Sequence, residues 1–165
     1  FEALEKPYEI EYVEEDTYLG TGGGLYLLKN RITEDFFLVN CDIIIDADYS
    51  EIYNHHKKNN NYITIVAAKY KHVVPYGVLS LDESGNCETL TEKPENDYLI
   101  NTGMYMVQRE LIDAMPENEA ISFPEIIERC KAEGKKIGAY VIEESAYMDM
   151  GQMEEMDRMK NKLRV

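Results

Sequence analysis

The sequence has few basic residues and no long apolar run, and each shortage excludes a class of protein. Its 165 residues include 17 lysines and arginines against 32 aspartates and glutamates, so the formal net charge is −15. A protein that binds nucleic acid needs a basic surface, and this composition argues against such a partner. No apolar run approaches the roughly 20 residues that span a bilayer, so we expect no membrane partner either.

Cysteine is also scarce, and the three that occur are Cys41, Cys87 and Cys130. An odd, widely spaced set does not form a disulfide framework, and neither the cysteines nor the three histidines have the spacing of zinc ligands. Reduced thiols are typical of intracellular proteins, so we expect a cytoplasmic location and no zinc.

Strand-like and helix-like segments alternate along the chain, which predicts an α/β fold. The hydrophobic pattern predicts strands at 8–13, 36–42, 62–68, 100–107 and 136–142, and a hairpin over 78–91. It predicts helices at 25–29, 48–60, 110–115, 124–133 and 152–163. Thr21 is the predicted N-cap of the first helix. The segment 36–42 is apolar on both faces, as in a central parallel strand.

Two aspartates lie where a metal ion could be held. Asp42 ends the predicted strand 36–42, and ligands of open α/β sheets collect at the carboxyl ends of strands. A carboxylate there suits Mg²⁺, although Asp42 could equally close an Asx turn into the next segment. Asp149 precedes the last predicted helix, where it would either interact with the helix dipole or provide a second ligand to the same ion.

A glycine-rich run at positions 20–24 precedes the first predicted helix. Gly20, Gly22 and their neighbours would let a ligand approach the backbone closely, while helix N–H groups meet an anion or an acceptor edge. No Gly-Lys-Ser/Thr follows, so the run is not a P-loop. A tight strand-to-helix turn without a ligand is the commoner explanation of such glycines.

Two further motifs, Glu92-Lys93-Pro94 and Asn101-Thr102-Gly103, lie at predicted strand ends. A carboxylate and an amide side chain are natural partners of sugar hydroxyls, and lysine suits phosphate as a compact point charge. The alternative is a surface Glu–Lys pair before a turn proline, which contributes little to stability.

Taken in order, these motifs resemble those of the sugar-1-phosphate nucleotidyltransferases, or nucleotide-sugar pyrophosphorylases. The matching motifs are Leu19-Gly20-Thr21, Asn40-Cys41-Asp42, Pro75-Tyr76-Gly77, Glu92-Lys93-Pro94, Asn101-Thr102-Gly103 and Asp149-Met150-Gly151. Each motif is weak alone, but the ordered set spans nearly the whole chain and is specific. The Asn-Cys-Asp and Asp-Met-Gly-Gln variants are most similar to the mannose-1-phosphate guanylyltransferase-like branch, some members of which carry regulatory domains.

The resemblance implies a three-layer, Rossmann-like fold of glycosyltransferase-A type, in which helices cover both faces of a mixed, mostly parallel sheet. It implies an enzyme that transfers a nucleotidyl group from a nucleoside triphosphate, with GTP favoured, to a sugar 1-phosphate. The implied site comprises Asp42 and Asp149 as ligands of Mg²⁺, Lys93 at the sugar phosphate, Gly20, Thr21 and Gly22 at the nucleobase, and Gly77, Glu92, Asn101 and Thr102 at the sugar.

Two features of the family are changed or missing. Tyr147 stands where the family commonly has tryptophan, two positions before the second metal aspartate, so an aromatic wall is retained. The family's opening Gly-x-Gly-x-Arg loop and later Pro-Lys, which bind the triphosphate, are absent from these residues. We therefore expect residues 1–165 to be the C-terminal major part of one domain that lacks its first strand-loop-helix unit. With its charge of −15, this chain alone is expected to be weakly active or inactive.

Three other functions compete with this interpretation. A regulatory paralogue would bind sugar nucleotides without turnover, but the presence of both Asp42 and Asp149 argues against it. A nucleotide-sugar-dependent glycosyltransferase would need an Asp-x-Asp motif, and Asp46-Ala47-Asp48 has that spacing, although aspartates at a predicted helix start usually cap the helix. An acidic interaction domain is disfavoured by the polar residues at strand ends. The late strand and helices could also build the interface of a homo-oligomer.

Overall fold

The computed structural model describes residues 7–151. The strands are β1 (Phe36–Val39), β2 (Ile43–Ile45), β3 (Ile63–Val73), β4 (Gly77–Leu81), β5 (Cys87–Glu92), β6 (Glu95–Val107), β7 (Ile137–Ile142) and β8 (Tyr147–Asp149). The α-helices are α1 (Tyr49–Asn59), α2 (Glu110–Ala114) and α3 (Phe123–Ala132), and the 3₁₀ segments are Gly23–Leu28 and Glu144–Ala146. The α/β prediction is confirmed, and the predicted helix at 152–163 lies outside the described residues. Within residues 7–151, no helix has the length and apolarity that a membrane span requires.

A four-stranded mixed sheet in the order β1-β6-β3-β7 forms the middle of the fold. β6 pairs antiparallel with β1 and with β3, while β3 pairs parallel with β7, so three of the four strands share one direction. Within the described residues β1 is an edge strand with an antiparallel neighbour, so its prediction as a central parallel strand is wrong. Its partly buried apolar residues pack against both cores, Phe36 and Leu38 on one face and Phe37 on the other, and this pattern does not determine the direction of the neighbouring strand.

Helices pack against both faces of this sheet, which gives three layers. On one face Tyr105 of β6 packs with Leu111 of α2 and Phe123 of α3. On the other face Met104 of β6 packs with Ile52 of α1. Successive residues of a strand point to opposite faces, so neighbours in the sequence of β6 belong to different hydrophobic cores.

Two small antiparallel sheets complete the fold. The predicted hairpin is confirmed as β4 and β5, and its turn is closed by the Asp82 carboxylate, which accepts from the N–H groups of Ser84 and Asn86 at 2.9 and 2.8 Å. The second sheet pairs β2 with β8, with Ile43 opposite Asp149. This pairing brings the end of the described chain back beside the segment that follows β1.

Two predictions for the N-terminal part are wrong: the strand at 8–13 and Thr21 as the N-cap of the first helix. Residues 8–13 contain no regular secondary structure, and Tyr8 and Tyr12 are mostly exposed because no strand pairs with this segment in the described chain. In place of the predicted helix at 25–29 the structure has the 3₁₀ segment Gly23–Leu28. Its N-cap residue is Gly22, and no side chain makes a capping hydrogen bond there. Thr21 Oγ1 instead accepts from the backbone N–H of Phe123 at 3.1 Å. A contact distant in sequence therefore replaces the local one.

A buried network of polar side chains joins α1 to β3 of the four-stranded sheet. His56 and Asn61 are 0% and 1% exposed, and both bind the hydroxyl of Thr64, at 2.8 Å through His56 Nδ1 and at 2.9 Å through Asn61 Nδ2. His56 Nε2 has no hydrogen-bond partner among the described residues and lies 3.8 Å from Asp35 Oδ2. Asp35 is also held by an ion pair with Lys57. Burial lowers the pKa of His56, although Asp35 opposes this effect while Lys57 and His55 add to it.

We expect this network to weaken in mild acid. The pKa of His56 is lower in the folded chain, so the unfolded chain binds more protons below the ordinary histidine pKa of about 6.5. The stabilisation by neutral His56 is therefore fully present above that pH and is lost as the pH falls. Urea unfolding between about pH 7.5 and about pH 5.5 should show a pH dependence that His56→Asn removes. The control His72→Asn, at an exposed histidine outside this network, should retain it. An unchanged slope in His56→Asn would contradict the prediction.

Candidate functional site

A cavity of about 350 Å³ opens beside the ends of β1 and β8. It is lined by Thr21, Asn40, Asp42, Ile43, Asn101, Thr102, Gly103, Tyr105, Ser122, Phe123, Pro124, Tyr147 and Asp149. Five of the residues predicted from the sequence meet here: Thr21, Asp42, Asn101, Thr102 and Asp149. The structure thus unites motifs that lie more than one hundred residues apart in the chain.

The two aspartates lie close together because β2, which begins directly after Asp42, pairs with β8, which ends at Asp149. Asp149 lies opposite Ile43, and the N–H of Met150 donates to the backbone oxygen of Asp42 at 2.8 Å. Asp149 Oδ1 accepts from the N–H of Gly151 at 2.8 Å. Within the described residues, no backbone N–H donates to the Asp42 carboxylate, so nothing there forms the alternative Asx turn. The Asp42 carboxylate is exposed and directed by the fold toward the cavity that it lines.

The Asp42 and Asp149 carboxylates suit a Mg²⁺ ion that takes its other ligands from water or substrate. They are too few for a metal ion that is held entirely by protein side chains. In residues 7–151, no group of three or more His, Cys, Asp and Glu side chains is arranged to hold a metal ion. Mg²⁺ commonly takes one or two carboxylates and fills its other positions with water and phosphate oxygens. Asp42 and Asp149 therefore fit a Mg²⁺ ion that is completed by a phosphate ligand.

Tyr147 forms the aromatic wall beside the two carboxylates. Burial raises the pKa of Tyr147, and the negative charges of Asp149 and Asp42 raise it further. The phenol is thus neutral at physiological pH and able to donate to a carboxylate or to a ligand.

The glycine-rich run is tied to the loop before α3. Gly20 has φ +77°, and a Cβ atom there would lie 2.6 Å from the backbone oxygen of Ile121. The N–H groups of Gly22 and Gly23 both donate to that oxygen, at 3.1 and 3.2 Å. These two N–H groups are therefore occupied, and this part of the run is explained by the turn and the close packing that it allows. Thr21 is the member of the run that reaches the cavity.

Gly20 and Gly22 lie beside a second, smaller hollow of about 190 Å³. Its lining also includes Thr21, so Thr21 is shared by the two hollows. Glu15 and Leu25 border the smaller one, which gives it an apolar side and an acidic side.

Asn101 and Thr102 lie at an irregularity between β3 and β6, where Val66 and Ala67 pair with residues that are not consecutive in β6. Thr102 is 2% exposed, and its hydroxyl donates to the backbone oxygen of Val66 at 2.8 Å. That hydroxyl mainly stabilises the irregularity. Asn101 is exposed and can meet a ligand directly.

Gly77 and Glu92 lie on the β4–β5 hairpin, and Lys93 directly follows it. None of the three lines the cavity. Gly77 pairs with Glu92 across the hairpin, and a Cβ atom on Gly77 would lie 3.1 Å from Glu92 Oε2. Lys93 has φ +46°, and its N–H donates to the backbone oxygen of Tyr76 at 3.2 Å. The described contacts therefore group these three residues with one another and apart from the two aspartates.

A family model described as nucleotidyl transferase matches residues 2–164. The chain belongs to the nucleotidyl transferase family. It is 31% identical over 155 residues to the mannose-1-phosphate guanylyltransferase of Mycobacterium tuberculosis, covering 91% of this chain and 43% of that protein. It is 32% identical over 163 residues to the mannose-1-phosphate guanyltransferase of Yarrowia lipolytica, covering 89% and 43%. The chain thus spans less than half the length of these relatives.

Solved structures of similar fold include HddC from Yersinia pseudotuberculosis, with a TM-score of 0.64 and 22% identity, covering 90% of this chain and 64% of that one. A structure of HddC complexed with GMP-PN matches with the same values. A putative glucose-1-phosphate thymidylyltransferase from Bacillus anthracis, in complex with a sucrose, has a TM-score of 0.59 and 15% identity, covering 87% and 61%. These likenesses confirm the fold of this nucleotidyl transferase family member.

Several residues that line the cavity of this nucleotidyl transferase chain are not indicated as site residues by the sequence. They include Tyr105 and the residues at the start of α3. The helix start is visible in the sequence as Ser122 before Pro124, and the structure shows a capping box in which Ser122 and Glu125 bind each other. Its N-terminus offers little to an anion, because Thr21 accepts the N–H of Phe123 and proline has no N–H. Only the tertiary contacts place this helix start in the cavity.

The competing Asp-x-Asp motif has a structural explanation in this nucleotidyl transferase chain. Asp48 is the N-cap of α1, and its carboxylate accepts from the N–H of Ser50 at 2.8 Å. Neither Asp46 nor Asp48 lines the cavity that holds Asp42 and Asp149. The capping interpretation is confirmed for Asp48.

Proposed function

We propose that the gene product containing this chain transfers a nucleotidyl group from a nucleoside triphosphate to a sugar 1-phosphate, releasing pyrophosphate and a nucleotide-sugar. The observation that carries the proposal is the meeting of Asp42 and Asp149 in one cavity of a nucleotidyl transferase family chain. GTP is the favoured donor and mannose 1-phosphate the favoured acceptor, since relatives at 31% and 32% identity are guanylyl- or guanyltransferases for mannose 1-phosphate. The complex of HddC with GMP-PN is in keeping with a guanine nucleotide.

The reaction needs positioning and charge neutralisation more than proton transfer. The phosphate monoester of the sugar has a second pKa of about 6, so it is largely dianionic at neutral pH and can attack without a strong general base. An oxygen of the sugar phosphate forms a bond to the α-phosphorus, and the bond from that phosphorus to the pyrophosphate oxygen breaks. Asp42 and Asp149 would hold Mg²⁺, which when bound offsets the negative charge of the phosphates. Tyr147 lines the cavity beside them.

The remaining roles follow the family motifs and are part of the proposal. Lys93 pairs with the sugar phosphate, and Gly20, Thr21 and Gly22 border the nucleobase. Gly77, Glu92 and Asn101 recognise the sugar, while Thr102, whose hydroxyl is already bound to Val66, lines the sugar side of the cavity. The second hollow beside Gly20 and Thr21 supports a position for the base separate from the metal. For the hairpin residues to act, the hairpin must lie against the bound sugar.

The cavity lacks positive charge of its own. Of the described residues that line it, two are aspartates and none is lysine, arginine or histidine. Two carboxylates repel a triphosphate unless cations offset them. We therefore propose that the 165-residue chain by itself catalyses the reaction slowly. Cationic groups that do not belong to this cavity lining complete the site.

Pyrophosphate release is the measurement that tests the function. The gene product containing this chain would be assayed with Mg²⁺ against the common nucleoside triphosphates and a panel of sugar 1-phosphates. Release that requires both substrates, with GTP and mannose 1-phosphate as the best pair, is expected. A folded protein that binds nucleotide but releases no pyrophosphate would instead be a regulatory paralogue, and sugar transfer from a nucleotide-sugar to an acceptor would identify a glycosyltransferase.

Replacing Glu92 by alanine should raise the KM for the sugar 1-phosphate more than the KM for the nucleotide. A carboxylate that binds sugar hydroxyls contributes on the order of a tenfold change in affinity. Glu88 lies on the same face of β5, four residues away and exposed, so Glu88→Ala is the matched control and should change neither constant. An equal effect of Glu92→Ala on both substrates would remove the role proposed for it.

A further inference from the structure

The contacts of Asn101 determine which end of its side-chain amide faces each neighbour. Oδ1 accepts from the N–H of Gly103 at 3.0 Å, and Nδ2 donates to the hydroxyl of Tyr105 at 2.7 Å. A backbone N–H can only donate, so the amide atom beside Gly103 must be the oxygen. The atom beside Tyr105 must then be the nitrogen, and the hydroxyl oxygen of Tyr105 must accept there.

Tyr105 occupies a rigid position from which to hold the amide. Its side chain is 4% exposed, and its ring centroid lies 4.4 Å from that of Phe123. Burial raises the pKa of Tyr105, although its hydrogen bond with Asn101 acts in the opposite direction, so the hydroxyl is neutral at physiological pH. Within the described residues, the Tyr105 hydroxyl accepts from Asn101 and donates to no group. The ring is fixed by packing, and its oxygen therefore has a fixed place in the cavity.

Asn101 keeps part of its hydrogen-bonding capacity for a ligand. Its amide has two N–H groups and two lone pairs, and one of each is used by Tyr105 and Gly103. One N–H and one lone pair remain on an exposed residue that lines the same cavity as Asp42 and Asp149. With the amide fixed, the positions of this remaining donor and acceptor are also fixed, which is the condition for distinguishing one arrangement of sugar hydroxyls from another.

We propose that Tyr105 is a positioning residue that fixes the side-chain amide of Asn101 in the orientation that receives the sugar of a sugar 1-phosphate. This inference rests on the proposed function, because it names the ligand of the cavity. Tyr105 acts on the sugar through Asn101, so its contribution disappears once the amide is removed. The nucleotide, the metal and the chemical step are unaffected by this contact.

The test is a double-mutant cycle on the gene product that contains this chain, with pyrophosphate release as the readout. Tyr105→Phe keeps the ring against Phe123 and removes only the hydroxyl, and Asn101→Ala removes the amide. One neutral hydrogen bond corresponds to roughly a threefold to tenfold change. We expect Tyr105→Phe to raise the KM for the sugar 1-phosphate by about that factor, with kcat and the KM for the nucleotide changed less than about twofold. In the Asn101→Ala background, Tyr105→Phe should add almost nothing.

Tyr62→Phe is the matched control, since Tyr62 is a buried tyrosine of the same hydrophobic core that does not line the cavity. It should leave the KM for the sugar 1-phosphate unchanged. Equal effects of Tyr105→Phe with and without Asn101 would overturn the proposal, because Tyr105 would then act independently of the amide. No effect of Tyr105→Phe on that KM would also overturn it.

A second readout separates this inference from the proposed function. Solvent exchange of the Asn101 side-chain amide protons, followed by NMR, should be faster in Tyr105→Phe than in the wild-type protein. If the wild-type protein releases no pyrophosphate with any substrate pair, the proposed function fails and with it the sugar as the ligand. Unchanged amide exchange in Tyr105→Phe would overturn the positioning role itself, whatever the protein's activity.

Discussion

Replacing Asp42 by asparagine is expected to lower kcat/KM for pyrophosphate release by on the order of 100-fold or more. The asparagine side chain has the same shape but no negative charge, so it binds Mg²⁺ far more weakly. Asp42 is exposed, and no hydrogen bond of the described residues depends on its carboxylate. The fold should therefore be intact, and circular dichroism and the unfolding midpoint of the variant should match those of the wild type.

Asp149→Asn should reproduce this loss, because the two carboxylates are proposed to hold one ion. Raising the Mg²⁺ concentration should recover part of the activity of each variant. Asp16 is an exposed aspartate away from the cavity, so Asp16→Asn is the control and should be as active as the wild type. Activity of Asp42→Asn within a few fold of the wild type would show that the metal assignment is wrong.

Replacing Gly20 by alanine should lower the free energy of unfolding by at least about 3 kcal/mol. Two costs combine at this position. The backbone has φ +77°, which disfavours any residue with a Cβ atom by roughly 1–2 kcal/mol. The new Cβ atom would also lie 2.6 Å from the backbone oxygen of Ile121, which is fixed because it accepts from the N–H groups of Gly22 and Gly23.

Substitution of Gly85 in the β4–β5 turn measures the conformational cost without the steric cost. It has φ +84°, and no atom lies within 4 Å of a Cβ atom added there. Gly85→Ala should therefore cost only the conformational term of roughly 1–2 kcal/mol. Urea unfolding of both variants measures the difference, and equal losses would mean that the loop before α3 gives way around Gly20.

The sequence alone determined the parts of this protein that depend on neighbours in the chain. The α/β alternation, the β4–β5 hairpin, the Asp48 cap of α1 and the start of α3 beside Pro124 all follow from hydrophobic period and capping chemistry. The ordered motifs also indicated the family, which the match over residues 2–164 confirms. These features are local, or are read from residue types in a fixed order.

Only the tertiary structure decided which residues meet. Asp42 and Asp149 become neighbours through the short pairing of β2 with β8, three residues in each strand, which leaves little trace in a hydrophobic pattern. Thr21 binds Phe123 rather than capping its own helix, and Tyr105, which alternation alone assigns to a core, also holds Asn101 in the cavity. Contacts between segments distant in the chain depend on how the layers pack, and side-chain periodicity reports only that a face is buried, not which residue lies against it.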